Sequence, residues 1–67
     1  MSYEYLSDAE KEAIKQSAIR SFEYQKYTLE IEKIAELAKK DPDKEKVQLL
    51  EEQTQEKVVQ ILAIKSS

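Results

Sequence analysis

Between Tyr24 and Ala38, apolar side chains return at alternating steps of three and four: Tyr24, Tyr27, Ile31, Ile34 and Ala38, with charged residues at half of the places between. That period marks one face of an amphipathic helix. Upstream, Ser7 followed three residues later by Glu10 reads as a capping box, and Asp8 adds negative charge where a helix N-terminus favours it. The pattern predicts a first helix over about 8–40, with no breaker inside it. Asp41-Pro42 stops it, because the residue before a proline is driven out of the helical region. Asp41 is then expected to cap a second helix over about 42–65, with Pro42 in its first position.

The second helix carries its own face: Val47, Leu50, Thr54, Val58, Ile61 and Ile64. A short connection makes consecutive helices antiparallel neighbours. Pairing Ile34 with Val47, Ile31 with Leu50, Tyr27 with Thr54, Arg20 with Ile61 and Ser17 with Ile64 holds one constant register from turn to open end. The expected fold is all-α: one helical-hairpin domain over 1–67, its two long helices pairing further into a four-helix bundle or coiled-coil-like assembly.

Two helices in that register leave apolar residues over. Leu6, Ala9 and Ala13 continue the first helix beyond the reach of the second, and Ile14, Ala18, Phe22 and Leu29 lie well round the helix from the assumed seam. The second helix adds Val59 and Leu62, in a run that is apolar in nearly every direction. The open end of the hairpin is therefore the expected protein-binding surface, formed by Leu6, Ala9, Ala13, Ile14, Ala18, Phe22, Val59 and Leu62 and anchored on Phe22. Tyr3 and Tyr5 precede the cap, as a disordered lead or as a cover for the Leu6–Ala9 end.

Composition sharpens this picture. At 67 residues, with no Cys and no His, the chain has neither disulfide nor structural metal to stiffen a small core, and a core of that size seldom supplies more than about 3–5 kcal/mol. Association with itself as a homodimer, or with another helical protein, is the remaining route. The same absences, together with zero Gly, remove the commonest general base, the thiol nucleophile and the phosphate-cradling loop. No enzyme, no cofactor, no metal and no small-molecule substrate is expected.

A net charge of −3 argues mildly against nucleic acid, yet Lys11, Lys15, Lys26, Lys33 and Lys40 form a row down the first helix that could face phosphates or an acidic partner. No apolar run approaches the ~18 residues that would cross a bilayer, and a cytosolic protein is expected. The functional expectation is a non-enzymatic adaptor, inhibitor or co-chaperone. The alternative is a dimeric four-helix-bundle RNA regulator using the lysine row.

The run IRSFEYQKYTLEIEKIAEL followed by DPDKEK resembles two groups of small hairpin proteins. One is the plasmid-encoded RNA-binding hairpins, a resemblance that implies pairing into a four-helix bundle. The other is the co-chaperones of type III secretion needle subunits, a resemblance that implies a co-chaperone role on another protein. The shared features are a long first helix, an Asp-Pro turn and a Leu-rich second helix, here Leu49-Leu50-Glu51.

Overall fold

A computed structural model describes residues 5–67, so Met1–Glu4, and with them the expectation for Tyr3, lie outside the described residues. The fold is two helices, α1 over Asp8–Leu37 and α2 over Lys44–Lys65, packed against each other as a hairpin. The start of α1 follows from local chemistry. The Ser7 hydroxyl accepts the Glu10 N–H at 3.1 Å, and the Glu10 carboxylate accepts the Ser7 N–H at 3.0 Å. This reciprocal pair satisfies two otherwise orphaned donors.

The turn differs from the sequence-based expectation. The first helix ends at Leu37 rather than near Lys40, with Ala38 as its C-cap, and α2 starts at Lys44 rather than Pro42, with Asp43 rather than Asp41 as its N-cap. Asp43 Oδ1 accepts the N–H groups of Glu45 and Lys46 at 3.0 and 3.3 Å. The deciding contact is Glu36, the one buried charged residue among those described. Its carboxylate accepts the Asp43 N–H at 2.9 Å and lies 2.9 Å from Lys39 Nζ and 3.5 Å from Lys46 Nζ. A bridge from the last turn of α1 to the cap of α2 needs residues 38–43 as a loop, so the helices stop short on both sides.

The face of α1 that meets α2 is also not the expected one. Every cross-helix polar contact beyond the turn comes from one row: Lys15 Nζ to the Ser67 carbonyl oxygen at 2.8 Å, Lys57 Nζ over the Phe22 ring at 5.6 Å, and Lys33 Nζ to Glu51 Oε2 at 3.1 Å. Ile19 is buried on that face, with Ala18, Phe22 and Leu29 half-buried beside it. Tyr24, Tyr27, Ile31 and Ile34, expected in the seam, are instead 46–77% exposed. The expected face of α2 is the one used: Leu50 and Ile61 are buried, and Val47, Thr54, Val58 and Ile64 are half-buried.

The axial register of the hairpin stays within about one turn of the expected one, but α1 is rotated by roughly 150° about its axis. The reason lies at the open end. The Tyr24–Ile34 face would have set Arg20 and Ser17 against Ile61 and Ile64, leaving two apolar layers of α2 against polar groups. The observed rotation turns Ala18, Ile19 and Phe22 toward that part of α2, and it turns Glu36 toward Asp43. What it accepts in return is a seam with polar middle positions: Gln25, Lys26, Lys33, Gln53 and Lys57 are half-buried along it. These long side chains lay their stems over the interface and keep their heads at its edge.

Two measurements check this packing. Leu50 is 5% exposed and its neighbour Leu49 is 52% exposed. Leu50→Ala is expected to cost about 2–5 kcal/mol, whereas Leu49→Ala costs under about 0.5 kcal/mol, both read from urea midpoints. Equal losses at the two positions would place the α2 face wrongly. The turn carries a pH signature as well. The Asp43 N–H, then the Lys39 hydrogen bond, hold the Glu36 carboxyl down from its ordinary 4.5 to about 2. A depressed carboxyl stabilises the fold in full above the unfolded value and loses that contribution as pH falls through the window toward about 2. Glu36→Gln should therefore be the less stable form at neutral pH and converge on the parent as acid is added across that window. Parallel acid melts of the two chains would contradict the turn assignment.

Candidate protein-binding surface

The hairpin divides the surface expected at the open end. Ala18 and Phe22 face α2 and are half-buried, so they belong to the hairpin seam rather than to a free patch. Leu6 is half-buried, Ala9 and Ala13 are exposed, and Ile14, Val59 and Leu62 each keep more than half of their surface in solvent. Phe22 is thus a hairpin residue, held under Lys57. A charge placed there would test folding rather than association.

The rotation of α1 brings a different surface out. Tyr24, Tyr27, Ile31 and Ile34 form an outward stripe, all four substantially exposed, with Arg20 before it and Ala38 after it in the same line. The steps are four, three, four, three and four, which is a heptad seam with Tyr24, Ile31 and Ala38 at one core position and Arg20, Tyr27 and Ile34 at the other. The stripe spans Tyr24 to Ile34, about 15 Å of helix. One flank carries the small residues Ser21, Thr28 and Ala35, spaced by seven; the other carries Glu23, Glu30 and Leu37. Thr28 directs its hydroxyl to the Tyr24 carbonyl at 3.0 Å.

Shallow grooves border this stripe on both sides. One, of about 420 Å³, is lined by Tyr24, Thr28, Leu29, Gln53, Glu56 and Lys57. The other, of about 580 Å³, is lined by Glu30, Lys33, Ile34, Leu37, Glu51 and Thr54. Among the described residues no group of His, Cys, Asp or Glu is arranged to hold a metal ion.

The lysine row is largely occupied by the hairpin. Lys15, Lys26 and Lys33 are half-buried along the seam, and Lys26 pairs with Glu30 at 3.4 Å while Lys33 pairs with Glu51. Lys11 and Lys40, at opposite ends, are exposed. A phosphate backbone approaching this row would meet Glu30 and Glu51 with the lysines.

The outward stripe could have been found from the same heptad steps that led to the wrong seam, had Arg20 and Ser17 been weighed against Ile61 and Ile64. Glu36 also left a signal: an acidic residue in the last turn opposes the helix dipole and needs a specific donor nearby. Fold and surface together define a class, a two-helix hairpin with one apolar heptad face uncovered. Comparison with protein-family models, curated proteins and solved structures finds no match to this chain. No helix among the described residues is long and apolar enough to cross a membrane.

Proposed function

We propose that the chain is a non-enzymatic protein-binding hairpin, an adaptor, inhibitor or co-chaperone, that works through the outward face of α1. The cytosol is the compartment this reading assumes. The observation that carries it is the exposed heptad stripe Tyr24, Tyr27, Ile31 and Ile34. Single exposed apolar residues are ordinary, but four in a continuous heptad line are a contiguous apolar patch, and such patches mark contact sites. The two tyrosines fit that role, since each offers a large apolar ring with a polar tip for the rim of an interface. The exposed open-end residues Ile14, Val59 and Leu62 would form a second contact, separate from the stripe. RNA binding is supported less, because the lysines that would carry it are engaged with Glu30, Glu51 and the Ser67 carbonyl.

Affinity capture from the source cells, run with the parent chain and with Tyr27→Glu, tests this reading. The parent is expected to retain a protein through a high-salt wash, because apolar docking depends little on ionic strength, and the variant is expected to lose it. Recovery of nucleic acid that elutes steeply with salt, from both chains alike, would replace this reading with the phosphate-binding one.

A further inference from the structure

We infer that the occupant of the α1 stripe is a second copy of this chain, docked antiparallel about a two-fold axis near Leu29; this rests on the stripe being the contact surface. The first argument is pairing. In an antiparallel heptad seam the two kinds of core position face each other. With the axis midway between Tyr24 and Ile34, Tyr24 meets Ile34 of the other copy, Tyr27 meets Ile31, and Arg20 meets Ala38. Each large ring is set against a smaller aliphatic side chain, and the four central layers are filled from the same four residues. A parallel dimer would stack ring on ring and Ile on Ile.

Charge favours the same orientation. Arg20 is the chain's one arginine, it lies in the stripe, and it has no ion-pair partner among the described residues. A parallel pairing would set Arg20 directly against Arg20. The antiparallel one separates the two by about 27 Å of helix and lays each over the Ala38–Asp41 end of the other copy. That end bears the open carbonyls of α1 and the exposed Asp41 carboxylate, beside Lys39, which pairs with Glu36 at 2.9 Å, and the exposed Lys40, so the gain over the parallel order is chiefly the removal of Arg20 from Arg20. Cations are favourable at such a terminus. On one flank Ser21, Thr28 and Ala35 are small enough to let the two backbones come close.

The exposed area of this elongated hairpin, 55 × 18 × 15 Å, leaves room for such a contact. The chain exposes 5577 Å² at a mass of 7.8 kDa. That is about 1,200 Å² more than the roughly 4,400 Å² of a compact monomer of this mass. A standard interface removes about 600–1,000 Å² from each partner, which fits within that excess. Because the stripe lies roughly 150° round α1 from the face on α2, the dimer is a layer with the two α1 helices in the middle and an α2 outside each, rather than a square bundle.

Sedimentation and spin-label distances test this together, on a chain with no native cysteine to interfere. The parent should sediment as a dimer, and Ile31→Glu as a helical monomer at the same concentration. Labels at Ala13→Cys should lie far apart in the dimer, about 48 Å along the axis. Labels at Thr28→Cys should lie one interhelical spacing plus tethers apart, about 10 Å before tethers. If Ile31→Glu unfolds, the two distances decide alone. A parent that stays monomeric at every concentration overturns the second copy. The stripe itself then survives only if Tyr27→Glu still abolishes capture of a different protein. A short Ala13 distance with a short Thr28 distance overturns the antiparallel order in favour of a parallel pairing on the same stripe, and a short Ala13 distance with a long Thr28 one overturns both claims, moving the contact to the open end.

Discussion

The constraint on which the structure depends is that α1 has apolar residues on two nearly opposite faces while α2 can cover only one. Burial of apolar side chains is the main favourable term in folding, so the choice between faces is a choice of what remains in water. The face with Ile19, Phe22 and Leu29 serves the whole length of α2 and brings Glu36 to the turn. The Tyr24–Ile34 face serves only the half nearer the turn. Length of match decides the hairpin, and the more regular heptad is the one left outside.

Glu36 ties that choice to the turn. A buried carboxylate is costly unless it is paired and hydrogen-bonded, and here an N–H and two ammonium groups meet it. Rotating α1 to bury the tyrosines would swing Glu36 away from Asp43 and leave the α2 cap without its link to α1. The turn and the seam are therefore one arrangement. The position of Glu36 on the same helical face as Lys15, Phe22 and Lys33 is how the local chemistry of the turn propagates along the whole hairpin.

Much of the fold was legible in the residues. The Ser7/Glu10 box fixed the start of α1 because both halves of its chemistry lie within four residues. The face of α2 was legible because its apolar residues favour one side once Thr54 is counted with them. The face of α1 was not, since helical spacing is satisfied twice and periodicity alone gives no reason to prefer Phe22 and Leu29 over Tyr27 and Ile31. The helix ends near the turn were misread for a related reason. Asp41 and Asp43 both suit an N-cap, and only the distant Glu36 selects between them. Ala18 and Phe22 were placed on the open-end surface because that surface was whatever the assumed seam left over, and the hairpin half-buries both. Once the seam turned, the remainder turned with it.

The central claim is the rotation of α1, and proton-proton NOE contacts from the aromatic rings measure it most directly. One Phe and four Tyr make the assignment tractable. The account predicts contacts from the Phe22 ring to Lys57 within the same chain, with no intramolecular contact from the Tyr27 ring to Thr54 or Leu50. Contacts from Tyr27 to Thr54, with the Phe22 ring free of α2, would contradict it and return the Tyr24–Ile34 face to the core.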